Sequence, residues 1–156
     1  MPDKPQLPSF VVNDTLTHGV GVVIYGLSRK GEGFSWSIFR HMARTFPGIR
    51  WQAVHPEEPR FAKIPCSATV KGIKPVPDLA IIVLRGNAAI DALNDAAAAG
   101  VKRVWFPMTG SRQALDEAAR LGMLVRTDCP LCHTPKAGFP HNTHRWLMRV
   151  FKTWRD

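Results

Sequence analysis

Short apolar runs alternate with helical stretches along this chain. Val20 to Tyr25 (VGVVIY) is rich in β-branched residues and stops at Gly26, which reads as a buried strand. Phe34 to Phe46 follows with helical spacing, and Pro47-Gly48 ends it. Trp51 to His55 (WQAVH) reads as a second strand closed by Pro56. Residues 57–77 hold four Pro and no clear period, so they read as a long connection. Leu79 to Leu84 (LAIIVL) is the strongest strand signal in the chain. Asn87 to Ala99 is rich in Ala and fits a helix with Gly100 as its C′ residue. Val101 to Phe106 reads as a strand, and Ser111 to Leu121 as a helix with Ser111 at the N-cap and Gly122 at C′. Met123 to Thr127 (MLVRT) is a fifth strand. His141 to Trp154 is a final amphipathic helix, with Trp146, Leu147, Val150, Phe151 and Trp154 on one face.

Strand, helix, strand at this pitch predicts an α/β fold: a doubly wound, mostly parallel, five-stranded sheet (Rossmann-like) with an extra C-terminal helix. Ligands of such sheets sit beyond the carboxyl ends of the strands, near the switch in strand order. The loops to watch are therefore Gly26 to Ser35, His55-Pro56, Arg85-Gly86 and Pro107 to Gly110.

Composition narrows the field. A chain of 156 residues with 45% apolar content suits one domain with a single core and excludes wholesale disorder. Three Cys cannot build a disulfide-dense secreted scaffold. Its apolar runs fall far short of the ~20 residues that span a bilayer. The opening MPDKPQLPSF lacks an apolar signal region, so the expected address is the cytoplasm. A net charge of +9 asks for an acidic partner: nucleic acid, anionic lipid or a phosphorylated small molecule.

The first loop, GLSRKGEGFS, carries Gly26, Gly31 and Gly33, two hydroxyls and two cations, and leads into a helix. Glycines let backbone N–H groups approach a phosphate, and a helix N-terminus adds partial positive charge. Ser35 is placed to cap that helix or to donate to a phosphate oxygen. A plain surface turn with a cap is the competing reading. No complete G-x-G-x-x-G is present, and the second strand ends His55-Pro56 rather than in an acid that would hold a ribose hydroxyl, which argues against an ordinary NAD site. Arg85 follows the most apolar strand and reads as a phosphate clamp, or else as a solvated rim residue. Thr109 and Gly110 offer a hydroxyl and an N–H to a ligand, or cap the next helix.

Taken together, VVIYGLSRKGEGFSWSIFRHM, AVHP, PVPDLAIIVLR, AGVKRVWFPMTG and TDCP resemble, in order and spacing, the small bacterial CoA-binding proteins with a Rossmann-like domain. Those are related to the CoA-binding domain of succinyl-CoA synthetase α subunits and of ADP-forming acyl-CoA synthetases. The resemblance covers roughly residues 18–130. It leaves 1–17 as an N-terminal extension and 131–156 as a basic helical tail. It implies binding of CoA or an acyl-CoA. Gly26, Ser28, Arg29, Lys30 and Ser35 match the phosphate loop, Pro56 the position of the acidic ribose reader, and Arg85 with Thr109-Gly110 the other loops. The PMTG context of Thr109 departs from the apolar-Gln-apolar-Gly run of many relatives.

No nucleophile motif, paired carboxylate or Ser/His/Asp order stands out, so a binding module is favoured over a catalyst. An NAD(P)- or acyl-CoA-dependent enzyme is the alternative, and nucleic-acid binding through the basic tail ranks third. Cys129-Pro-Leu-Cys132-His133 matches the haem-attachment pattern, but covalent haem of that type requires export. Cys129, Cys132, His141 and His144 have the chemistry of a zinc site at an unusual spacing; ordinary thiols are the preferred reading. Cys129, at the carboxyl edge of strand five, is also placed to meet the thiol of CoA in a mixed disulfide. The tail helix could dock on the sheet, pair two copies as a homodimer, meet a protein partner or lie on an anionic membrane; docking within the chain is preferred.

Overall fold

The computed structural model describes residues 7–57, 61, 64–108 and 110–134. The predicted tail helix from His141 to Trp154 lies outside them, as do Thr109, His141 and His144.

Six strands form one sheet in the order β3-β2-β1-β4-β5-β6. They are β1 (Gly21–Tyr25), β2 (Arg50–Val54), β3 (Cys66–Ser67), β4 (Leu79–Ile82), β5 (Arg103–Trp105) and β6 (Leu124–Arg126). Every pairing is parallel, with Val22 opposite both Trp51 and Leu79. Five of the six are the expected strands; four have ends trimmed by one to two residues, and β2 is shifted one residue earlier. The sixth, β3, corrects the five-strand expectation. It is two residues long and sits in the Pro-rich connection, too short to show any alternation.

Side chains alternate across the sheet and sort into two cores. Val22, Ile24, Ala53, Leu79, Ile81 and Trp105 face α2 (Phe34–Thr45), whose Trp36, Ile38 and Met42 cover them. The segment ahead of the first strand joins this side. There α1 (Val12–Thr15) and its flanks bury Phe10, Val12 and Leu16, so residues read as an extension supply part of the core. Val23, Tyr25, Ala80, Ile82, Val104 and Phe106 face the other way, toward α3 (Gly86–Ala98) and α4 (Arg112–Arg120). On α3, Ala89, Ala92, Leu93 and Ala96 repeat at helical spacing, and the small residues let the helix lie close on the strands. The expected stops hold: Gly48, Gly100 and Gly122 all have positive φ. Ser111 caps α4 by accepting from the Ala114 N–H at 3.2 Å.

A buried ion cluster closes the β6 edge. Arg126 Nε donates to Asp128 Oδ1 at 2.9 Å, its Nη1 donates to the Phe10 carbonyl at 2.9 Å, and His133 Nε2 lies 2.6 Å from Asp128 Oδ2. The guanidinium rests over the Trp105 and Phe10 rings. His133 belongs to a 3-10 turn, Pro130–His133, that buries Leu131 and Cys132. Burial pushes the Asp128 carboxyl up, but hydrogen bonds from Arg126 and His133 outweigh it and hold it well below the usual carboxylate range. A carboxylate depressed in the folded state stabilises fully above its ordinary pKa of 3.8, and that contribution is lost as pH falls below it. Asp128→Asn is therefore expected to lower stability by about 3 kcal/mol at neutral pH. The gap to the native chain should shrink as pH is lowered below about 4. Urea unfolding across that range measures both.

Candidate functional site: a cleft at the strand-order switch

The sheet changes direction of growth between β1 and β4, so the loops leaving these two strands part to opposite faces. Gly26 makes that parting possible. Its φ is +91°, and a Cβ there would lie 2.9 Å from the Val83 carbonyl oxygen. Only glycine takes this conformation at this approach without strain.

A cleft of about 670 Å³ opens on one side of Gly26. Three helices begin at its wall: α2 through Gly33, Phe34 and Ser35, α3 through Arg85 and Gly86, and α4 through Gly110 and Ser111. Each start presents backbone N–H groups that have no acceptor within the helix. On α2 the first intrahelical bond runs from Ser37 N–H to the Gly33 carbonyl, which leaves the N–H groups of Phe34, Ser35 and Trp36 ahead of it. Convergent helix N-termini favour an anion. The floor is apolar, made by Ile82, Leu84, Ala89 and Phe106, with Met108 half exposed at the lip. Glu32 is the acid in the lining.

A second cleft of about 520 Å³ lies on the other side, sharing Gly26 and Leu84 with the first. His55, Pro56, Thr69, Asp91 and Asp95 line it. Asp95 organises its back wall: it accepts from Tyr25 Oη at 2.9 Å, from the Val70 N–H at 3.0 Å and from the Thr69 hydroxyl. Burial, then the Asp95 charge and its hydrogen bond, push the Tyr25 phenol above its ordinary range, so it stays a donor at physiological pH.

The loop from Gly26 to Gly33 is held by its own carbonyls. The Trp36 indole N–H donates to the Ser28 carbonyl at 2.7 Å, the Gly31 N–H reaches the same oxygen at 3.2 Å, and Arg40 donates to the Gly31 carbonyl. The Ser28 hydroxyl accepts from the Lys30 N–H at 3.2 Å, a local turn bond. Of the residues singled out in the sequence, Gly26, Ser28, Ser35, Arg85 and Gly110 line the first cleft, and Pro56 lines the second. Arg29 and Lys30 are exposed and line neither of the two. Arg29 instead pairs with Glu57. Ser35 is not the cap of α2: Gly33 holds that position, and Ser35 is a buried residue of the first turn. Cys129 is half buried and Cys132 fully buried at the 3-10 turn; neither lines these clefts. Among the described residues no group of three or more His, Cys, Asp or Glu is placed to hold a metal ion.

The family model for the CoA-binding domain matches residues 21–135, well over half of the sequence. The chain belongs to the CoA-binding domain family. No curated protein matches it. Solved structures share the fold of this CoA-binding domain. One is the apo dinucleotide-forming acetyl-coenzyme A synthetase 1 of Ca. Korarchaeum cryptofilum, at 18% identity and TM-score 0.62 over 74% of this chain. This chain spans 27% of that synthetase. A hypothetical protein from Pyrococcus horikoshii OT3 aligns at 17% identity and TM-score 0.63, over 75% of this chain and 82% of that one. The cell-free ID.343 protein of Thermus thermophilus aligns at 16% identity and TM-score 0.64, over 87% of this chain and 96% of that one. Among the described residues, no helix of this CoA-binding domain is long and apolar enough to cross a membrane.

Sequence reading passed over Glu57, Trp36 and the Tyr25–Asp95 pair. The pair joins residues 70 positions apart, which no local pattern exposes. In the sequence Trp36 stands only as part of a longer motif, although a buried indole N–H requires an acceptor, here the Ser28 carbonyl. Gly26→Ala in this CoA-binding domain is expected to cost about 1–3 kcal/mol in thermal or chemical unfolding, because the added methyl meets the Val83 carbonyl at positive φ.

Proposed function

We propose that the two clefts together form one site for CoA or an acyl-CoA, with no chemistry performed by this chain. The observation that carries the reading is the convergence of three helix starts on a cleft that also holds Arg85. A diphosphate needs several fixed donors at once, and backbone N–H groups supply them without the desolvation cost of buried side-chain charges. In this reading Gly26, Ser28 and Ser35 face the diphosphate, and Gly110 closes the far wall. The apolar floor of Ile82, Leu84, Ala89 and Phe106 suits the uncharged arm of the ligand. The second cleft, with Pro56 and His55 at its mouth, suits the nucleoside. Arg85, exposed at the N-cap of α3, and the exposed loop cations Arg29 and Lys30 are the side-chain charges available to the ligand's further phosphate. A cytoplasmic location and a homodimer or protein partner through the C-terminal helix complete the proposal.

Family membership supports CoA as the ligand class. Calorimetric titration with CoA, dephospho-CoA, ATP and NAD tests it. CoA should bind more tightly than dephospho-CoA, and NAD weakest. Arg85→Ala should weaken CoA by about tenfold, the worth of a hydrogen bond to a charged group, while leaving the unfolding midpoint unchanged. Equal affinity for all four ligands would overturn the assignment.

A further inference from the structure

Glu57 stands just past the second cleft, one residue after Pro56, and its carboxylate holds the Arg29 guanidinium that rises from the Gly26 loop. We propose that Glu57 is a built-in competitor for the ligand's phosphate: it occupies Arg29 while the site is empty and yields it to an incoming anion. This rests on the phosphate reading of the Gly26 loop given above.

Both partners are well exposed, with side chains 53% and 74% accessible. An ion pair this wet is weak and readily exchanged. The guanidinium fork takes a carboxylate or a phosphate in the same geometry, so one can replace the other without rebuilding the loop. A phosphate that carries more charge than a carboxylate wins the exchange, whereas a singly charged anion gains little. Glu57 therefore biases the site toward polyanionic ligands.

The backbone that carries Glu57 is anchored at the exit of β2. The Glu57 N–H donates to His55 Nδ1 at 3.2 Å. The His55 ring meets Phe61 edge-on at 5.9 Å, and Phe61 meets Trp36 at 5.8 Å. Trp36 in turn donates its indole N–H to the Ser28 carbonyl at 2.7 Å. The β2 exit and the Gly26 loop are thus joined twice, below by packed rings and above by the ion pair. The lower link sets the spacing of the two loops, so breaking the upper one need not move them.

The test is calorimetry on the full chain, its Glu57→Gln and Arg29→Gln variants and the double variant, each titrated with CoA and with inorganic pyrophosphate. Glu57→Gln should tighten both anions by about three- to fivefold, the scale of an exposed ion pair. In the Arg29→Gln background the same substitution should change affinity by less than about twofold, since there is no guanidinium left to release. Unchanged or weaker binding by Glu57→Gln overturns the proposal. So does equal tightening with and without Arg29, which would reflect net charge alone. If the native chain binds pyrophosphate but not CoA, the CoA reading fails and the Glu57 comparison is decided on pyrophosphate. If no variant binds either anion, both fall. Circular dichroism on each variant confirms that the fold is intact.

Discussion

The exit of β1 passes so close to the exit of β4 that a single methyl group on Gly26 would strike the Val83 carbonyl. Everything around the clefts follows from that contact. Because the two strands are neighbours and their following segments must diverge, one loop turns toward α2 and the other into α3. The gap left between them is where helix starts can face a common point. The residue that permits the turn is also the one both clefts share. Fold and candidate site are thus set by the same steric fact rather than by separate features.

Positive charge plays a smaller part at this point than the net charge of +9 suggests. The first cleft holds one cation, Arg85, and one acid, Glu32, and its wall is otherwise made mainly by helix starts and apolar side chains. The carbonyls of the Gly26 loop are tied by donors from Trp36, Gly31 and Arg40, which leaves its shape fixed by the protein itself.

Most of the architecture was readable in the sequence because it depends on local signals. Buried parallel strands are continuous apolar runs, and Gly48, Gly100 and Gly122 stop their helices where expected. The one strand missed, Cys66–Ser67, gains its identity only from pairing with Ala53 and Val54. The site was legible in outline for the same reason: loops after strands of a doubly wound sheet have a known side. Which loop residues face inward was not. Arg29 and Lys30 match the phosphate loop by resemblance, and sequence order alone does not show the partner that the tertiary structure supplies to Arg29, which is Glu57. Ser35 read as a cap by residue type, yet Gly33 took the cap because the chain enters α2 at φ +96°, which disfavours a serine.

The cluster of Arg126, Asp128 and His133 also has a topological meaning. One guanidinium holds the carbonyl of Phe10, which precedes the first helix, and the carboxylate that anchors the last turn. The earliest and latest described parts of the polypeptide are therefore knotted together at a single edge strand. Peeling away either one strips charged groups of their mates and bares Trp105 beneath. Such a seam makes the outer strand, usually the first to fray, melt together with the centre of the sheet.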